Sequence, residues 1–361
     1  MVMISARIWT KLGMCIAAII ILLTFCLSSR KLHRNSSWLK AVSSHRHSLQ
    51  SYPSPSHFLQ MYGNSSFMDS ITASTNLSQK AMLMRQQCKD SLLDTRIATA
   101  TAHFSDPNNP ETFYQQSIRS HLLHNIIHGT QLHILSTAII DYMWNKQAFL
   151  QLLILNELVK SPQERLEWIF WADRDTVILD YCRSPASFIA EEIGSNNKTT
   201  DTSQGPDINL LITNDHNGLM AGVFIIRVCE WSVKFLSDVL AFRTFKPGVD
   251  LPFHEQTAME LLLKEDKYKE NVVYIPQHWI NNYRGDTAED FVNRSDASDI
   301  AYWIARRGDF ALHFAGSGNK SGNIMEYAGV GEEVFDAIQG GSILRNISMD
   351  IEEFWGTYKK T

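Results

Sequence analysis

Along the chain the hydrophobic pattern changes character twice. From Leu12 to Leu27 (LGMCIAAIIILLTFCL) no residue is charged, and Lys11 on one side and Arg30, Lys31 and Arg34 on the other bracket the run. It falls a little short of the roughly 20 apolar residues of a spanning helix. Ile8 and Trp9 lengthen it if Lys11 reaches back to the interface. The pattern predicts a transmembrane signal-anchor over residues 12–28 behind a short cytoplasmic tail, residues 1–11. The alternative is a cleaved signal peptide with Cys26-Leu27-Ser28 as its small-x-small site, and the basic residues crowding that point favour the uncleaved anchor. Residues 29–90 then lose periodicity. Between 31 and 90 stand 13 serines with Pro53 and Pro55, which predicts a flexible stem with a helix beginning near Ala81 to Cys88.

Beyond this the pattern alternates between periods of two and 3.6. Arg96 to Phe104 predicts a strand that ends in a turn at Ser105-Asp106-Pro107, and Ser117 to Ile127 and Trp144 to Val159 have helical spacing. Trp168 to Trp171 is a short, bulky apolar run of the kind a central buried strand carries. Further strands are expected at Ile208 to Thr213, Val223 to Arg227, Val272 to Ile275 and Phe310 to Phe314, with helices at Trp231 to Phe242 and His254 to Leu263. Such alternation predicts one α/β sandwich with a mostly parallel central sheet over residues 91–361. In sheets of this kind ligands bind beyond the carboxyl ends of the strands.

Composition narrows the picture. A chain of 361 residues at 44% hydrophobic supports one sizeable core plus an unstructured arm. A net charge of −5 argues against nucleic acid, which selects a basic face. Asn35, Asn64, Asn76, Asn197, Asn293, Asn319 and Asn346 each head an Asn-x-Ser/Thr triplet, all after the apolar run, which predicts that residues beyond 30 are luminal. Cys15 and Cys26 fall in the apolar run. Cys88, Cys182 and Cys229 remain, enough for one disulfide and one thiol, with the pairing open.

Four segments carry candidate chemistry. In Trp168-Ile169-Phe170-Trp171-Ala172-Asp173-Arg174-Asp175 a buried strand runs into two carboxylates spaced i, i+2, which project to one side if the chain stays extended. Two hard oxygen ligands there suit Mg²⁺ or Mn²⁺, and the cation in turn suits a diphosphate. An isolated DxD arises readily by chance, and the apolar run before it is what marks this one. In Asp215-His216-Asn217-Gly218-Leu219-Met220-Ala221-Gly222 a strand gives way to a polar loop with two glycines, either a sugar-binding loop or an ordinary Asn-Gly turn. His254-Glu255-Gln256 opens a helix after Pro252, where side chains face a cleft or simply favour the helix dipole. Phe310-Ala311-Leu312-His313-Phe314-Ala315-Gly316 is a strand with one polar residue before a glycine turn. Its histidine is either a satisfied core side chain or a metal ligand.

In this order the segments resemble glycosyltransferase family 34, the family of fungal galactomannan α-galactosyltransferases, mannan-polymerase α-1,6-mannosyltransferases and plant xyloglucan α-xylosyltransferases. The markers are Trp144 with Lys146, then WIFWADRDTVI, DHNGLMAGVFIIR, EQTA, VVYIPQHWINNY and GDFALHFAG, spanning Trp144 to Lys320. The resemblance implies a GT-A fold and transfer of galactose or mannose, with retention, from UDP-galactose or GDP-mannose to a glycan acceptor. It implies Asp173, Asp175 and His313 as ligands of Mn²⁺ or Mg²⁺. It puts Asn217, Gly218 and Gly222 in the donor-sugar loop, Glu255 and Gln256 beside the reacting carbon, and Lys320 on the diphosphate. A single-pass type II protein of the Golgi membrane, with its catalytic domain in the lumen and in complex with other glycosyltransferases, is the expected setting. The chain departs from the family at Arg174, where a small residue usually stands, at Ser317 in place of a cysteine, and at Met220-Ala221 in place of a more polar pair. A non-catalytic luminal subunit of a glycan polymerase complex is the alternative, and retention of both aspartates, His313 and Gln256 argues against it. A metal-dependent hydrolase of sugar phosphates would need a further carboxylate cluster that the sequence does not display.

Overall fold

The computed structural model describes residues 53–64, 71, 76–88, 93–105, 111–190 and 207–358. The expected tail and anchor and the sequons at Asn35 and Asn197 lie outside them, and no helix among the described residues is long and apolar enough to cross a membrane. The chain divides into a unit ending at Tyr52, outside the described residues, and one from Pro53 to Thr361.

The second unit is built on a seven-stranded sheet in the order β1-β3-β2-β4-β7-β6-β8. Its strands are β1 (Leu59–Tyr62), β2 (Ile97–Ala102), β3 (Leu132–Leu135), β4 (Trp168–Ala172), β6 (Leu210–Asp215), β7 (Gly218–Arg227) and β8 (Val272–Tyr274). All pair in parallel except β7, which runs antiparallel to both neighbours. Thus the expected α/β fold with a mostly parallel sheet is what forms. β4 is buried at every position, as its continuous apolar run requires. Trp171 and Phe224 from the sheet pack with Phe149 and Leu153 of α3 (Asn145–Leu158) and with Phe235 of α4 (Glu230–Phe245). A second, two-stranded sheet pairs β5 (Thr176–Ile178) antiparallel with β9 (Ala311–His313). It packs with Ile324 and Tyr327 of α8 (Lys320–Tyr327). The remaining helices are α1 (Leu77–Cys88), α2 (Thr112–His128), α5 (Glu255–Leu263), α6 (Gln277–Ile280), α7 (Ala288–Asn293), α9 (Val330–Glu333), α10 (Phe335–Gln339) and α11 (Ile347–Tyr358).

Two expectations change. The stem predicted to residue 90 does not describe residues 53–64, and the helix expected near Ala81 to Cys88 forms but starts at Leu77. There β1 adds an edge strand beside β3, and α1 ends in a Cys88–Cys182 disulfide. Serines mask this order because the anchoring comes from a few buried residues, among them Phe58, Ala81 and Met84. Closing a loop of 94 residues contributes about 2–5 kcal/mol. The strand at Phe310 to Phe314 forms, but in the small sheet rather than the large one, so His313 lies across from the segment that follows the DxD pair.

α2 holds that segment in place. Ser117, Ser120, His121 and His124 share one buried face, and the half-buried His128 continues it. His121 Nε2 bonds Thr176 Oγ1 at 2.8 Å, His124 Nε2 bonds Arg183 O at 2.8 Å and His128 Nε2 bonds Tyr181 O at 3.0 Å. Ser120 Oγ accepts from Ile178 N at 3.2 Å. Burial pushes His121 and His128 down to about 4, and His124 well below its usual value. Unfolding exposes these rings to protonation near their ordinary 6.5, so their contribution is full above pH 6.5 and is lost as pH falls towards 4. Each ring then makes stability fall by up to about 1.4 kcal/mol per pH unit. Asp309, pushed up by burial to about 7, and Asp180 and Glu255, also raised by burial, act in the opposite sense, while His103 and His133, pushed down by burial to about 4, add to the three rings. The unfolding midpoint is expected to drop between pH 7 and pH 5, and His121→Gln to flatten that slope. A midpoint independent of pH over this range contradicts the assignment.

Candidate functional site

β4 ends at Ala172 and the chain turns at once, Thr176 N donating to Asp173 O at 3.1 Å. The expected extended i, i+2 arrangement is therefore replaced by a turn, and Arg174 is sent elsewhere. Its guanidinium lies 3.8 Å from the Tyr114 ring centre and bonds Glu111 Oε2 at 3.0 Å. Both carboxylates remain on the cavity side, and Asp173, Asp175 and His313 offer ligand atoms that all lie within 4.8 Å of one another. Asp175 Oδ1 is 3.4 Å from His313 Nε2, and Lys320 Nζ donates to Asp175 Oδ2 at 2.5 Å. Burial opposes ionisation of Asp175, yet His313 and Lys320 beside it hold its carboxyl well below the usual range.

His313 is oriented through its neighbours. Tyr283 donates its hydroxyl to Asp215 Oδ2 at 2.5 Å, and Asn281 Nδ2 donates to the Tyr283 oxygen at 3.2 Å. The Asn281 carbonyl oxygen is thereby left as an acceptor, 2.8 Å from His313 Nδ1. His313 Nδ1 is thus turned to Asn281, and Nε2 faces the aspartates, the position from which it would ligate a cation. Gly222 completes the cradle. A Cβ there would stand 2.3 Å from His313 Cε1, 3.0 Å from Nε2 and 3.2 Å from Asp173 Oδ2. The donor set of two carboxylates and one imidazole, with Nε2 facing the aspartates and the space kept by Gly222, fits a hard or borderline divalent cation.

Lys146 lines the cavity from the first turn of α3. Its Nζ donates to Ala221 O at 2.7 Å and stands 3.3 Å from Asp173 Oδ1 and 3.3 Å from Glu255 Oε1. Burial works against its charge, and the Asp173 and Glu255 carboxylates more than restore it, raising Lys146 above its ordinary value. Glu255, first residue of α5, is pushed up by burial and by Asp173, against Lys146. Its Oε2 is buried without a hydrogen-bond partner, so it is an acceptor waiting for a ligand's donor. Gln256 Oε1 accepts from Ala221 N at 2.9 Å, which fixes the side chain and leaves the oxygen a second lone pair.

These groups line one cavity of about 640 Å³, together with Asn217, Lys320 and Tyr283. Of the residues expected at the site, Gly218 alone is not at its wall. Its φ of 104° closes the β6–β7 hairpin, as an Asn-Gly turn requires, with Asn217 N donating to Asp215 Oδ1 at 2.6 Å. Gly222 lines the same cavity and packs against His313 and Asp173. Ser317 Oγ accepts from Asn323 Nδ2, so neither it nor Arg174 disturbs the triad. The sequence reading did not single out Asn281, Tyr283 and Asp215 as a relay, and Lys146 entered it only as a family marker. At the rim, Tyr142 and His254 are the two non-glycine residues with positive φ among the described ones, 49° and 50°, a conformation that costs about 1–3 kcal/mol each.

Residues 97–323 match the model of a family described as galactosyl transferase GMA12/MNN10. Among curated proteins, the probable alpha-1,2-galactosyltransferase gmh1 of Schizosaccharomyces pombe is 27% identical over 203 residues, covering 50% of this chain and 55% of that protein. Galactomannan galactosyltransferase 1 of Cyamopsis tetragonoloba is 24% identical over 154 residues, covering 37% of this chain and 34% of that protein. The chain thus spans about half the length, or less, of these relatives. Among solved structures, a glycosyltransferase involved in glycosylation of the major capsid of PBCV-1 aligns at a TM-score of 0.43 and 13% identity, over 63% of this chain and 98% of that one. A likeness that loose bears on neither site nor substrate.

Proposed function

The chain belongs to the galactosyl transferase GMA12/MNN10 family, and on that premise we propose that it is a retaining α-glycosyltransferase of GT-A type, moving a hexose from a nucleotide sugar to a glycan. The observation that carries this is the convergence of Asp173, Asp175 and His313 on the cavity where Glu255 keeps a buried, unpartnered oxygen. Mn²⁺ or Mg²⁺ held by that triad would supply neutralisation of the charge that develops on the departing nucleoside diphosphate. Lys320 is raised above its ordinary value because Asp175 outweighs the effect of burial, so it stays an ammonium that can bind a diphosphate oxygen. Glu255 Oε2 accepts from a hydroxyl of the donor sugar, and Lys146 keeps that carboxylate in place. Gln256 turns the second lone pair of its carbonyl oxygen towards the anomeric carbon, steadying positive charge there without forming a stable bond. The acceptor hydroxyl then gives its proton to the leaving diphosphate. Galactose is the favoured donor sugar, because the relatives carry galactosyltransferase in their names, and mannose is the second candidate.

A luminal, Golgi-membrane setting is part of the proposal. The Cys88–Cys182 disulfide suits an oxidising compartment, and the sequon residues Asn64, Asn76, Asn293, Asn319 and Asn346 are all exposed. The purified full chain, given Mn²⁺, a panel of nucleotide sugars, and α-1,6-mannobiose or β-1,4-mannotriose, is expected to release UDP from UDP-galactose fastest, and faster with saccharide present. Equal release from GDP-mannose would redirect the donor assignment, and no release from any nucleotide sugar would end the transferase reading.

A further inference from the structure

The cation triad leaves the strained rim of the cavity unexplained. Tyr142 opens the short turn Tyr142–Trp144 and is 68% exposed. Its ring meets that of His254 edge to face, centroids 5.0 Å apart, and both side chains line the cavity that holds the triad and Glu255. Phe253 and Met143 beside them are also exposed. Two left-handed, non-glycine residues therefore touch each other at the mouth of the reaction cavity.

The surrounding structure enforces this conformation from both sides. Asn145 Oδ1 accepts from Ile139 N at 2.7 Å and from Ile140 N at 3.0 Å, and its Nδ2 donates to Ile140 O at 2.7 Å and Tyr142 O at 2.8 Å. Arg243 forks onto Asp141 at 2.5 and 2.6 Å and lies 4.9 Å from the Trp144 ring centre. His254, with ψ of −118°, donates its N–H to Leu251 O at 2.9 Å, and Thr257 Oγ1 accepts from Phe253 N at 3.0 Å. Glycine would adopt either backbone without strain. A loop so heavily pinned around a tyrosine and a histidine keeps them for their side chains.

An exposed aromatic face beside a polar cavity has a matching ligand chemistry. A pyranose offers one face of C–H groups to a ring and a rim of hydroxyls to polar neighbours. The depth of the cavity, with Glu255 and the triad, is where the donor sugar and diphosphate belong in the reading above, on which this inference rests. A second sugar must enter at the rim. We propose that Tyr142 and His254 form the acceptor clamp: the phenol ring takes the apolar face of the acceptor's terminal pyranose, and the imidazole bonds one of its hydroxyls. His216 and Asn217 of the β6–β7 hairpin line the same cavity and supply further polar contacts to that sugar.

Glycine substitutions separate the ring from the backbone it strains. In Tyr142→Gly and His254→Gly the unfolding midpoint is expected to stay level or rise, because the left-handed residue is relieved. The KM for the saccharide that best accelerates UDP release is expected to rise about tenfold or more, and the KM for the nucleotide sugar to move less than about twofold, a tenfold change being about 1.4 kcal/mol. Tyr142→Phe, which keeps the ring, is expected to retain an acceptor KM within about twofold of the parent. A rise in midpoint with an unchanged acceptor KM in both glycine variants would overturn the clamp while leaving the transferase reading intact. A parent protein that releases UDP at the same rate with and without every saccharide tested would instead overturn the transferase reading, and the clamp with it.

Discussion

Asp175→Asn is expected to lower turnover by at least about 10³-fold, with the fold intact. The substitution keeps the size of the side chain and, on the proposed reading, removes one of the two anionic groups that would hold the cation. Loss of groups one layer further out already costs 10–100-fold at metal sites, and loss of a single preorganised contact at a developing charge costs about 10²–10³-fold. Stability should change little. Asp175 is paired with His313 and Lys320, and Lys320 is exposed enough, at 33% of its side chain, to turn to solvent once the carboxylate is gone. Raising Mn²⁺ should recover part of the activity, because a weakened site is refilled by mass action. A variant of normal melting temperature whose activity is lost and gains nothing from added Mn²⁺ would assign Asp175 a role other than cation binding. Normal activity at ordinary Mn²⁺ would remove it from the site altogether.

Gly222→Ala carries the second large effect, and it acts through a residue 91 positions away. The new Cβ would sit 2.3 Å from His313 Cε1. The ring cannot retreat, because His313 is almost wholly buried and Asn281 holds its far nitrogen at 2.8 Å. The backbone cannot retreat either. Asp173 N donates to Gly222 O at 2.8 Å, and the next residue, Val223, is registered against Ala172 in the centre of the sheet. The imidazole must leave its position, so turnover is expected to fall at least about 10²-fold for an overpacking cost of about 1–3 kcal/mol in stability. Because the methyl group and deletion of the ring remove the same ligand, Gly222→Ala with His313→Ala should be no worse than His313→Ala alone to within about threefold. Full additivity of the two losses, or an active Gly222→Ala protein, contradicts the cradle.

How much of this was legible in the sequence depended on whether a residue's role is set by its neighbours along the chain. β4 and the DxD pair could be read because a continuous apolar run and the two carboxylates are adjacent. His313 could be read because it is the one polar residue in an apolar strand before a glycine turn. The resemblance to a family supplied its partner carboxylates. Lys146 could not be placed by pattern, since a lysine in a periodic helix reads as solvated until Ala221, Asp173 and Glu255 are seen to converge on it. The Asp215–Tyr283–Asn281–His313 relay joins segments far apart, and nothing local marks it. The pattern starts α2 at Ser117 rather than Thr112 because its serines and histidines are buried against backbone carbonyls, which erases the contrast between an apolar and a polar face. The edge strand β1 was lost among serines. The strain at Tyr142 and His254 has no sequence signal: propensity assigns left-handed backbone to glycine and asparagine, and nothing in either side chain announces it.

The most direct measurement is a Mn²⁺ titration of the purified full chain with UDP present, following free Mn²⁺ by electron paramagnetic resonance, for the parent and for Asp175→Asn, His313→Ala and Gly222→Ala. Uptake of one Mn²⁺ per chain by the parent is expected, with affinity weakened at least about tenfold in each variant. Uptake of equal strength in all four proteins, or none in the parent, would contradict the cation triad.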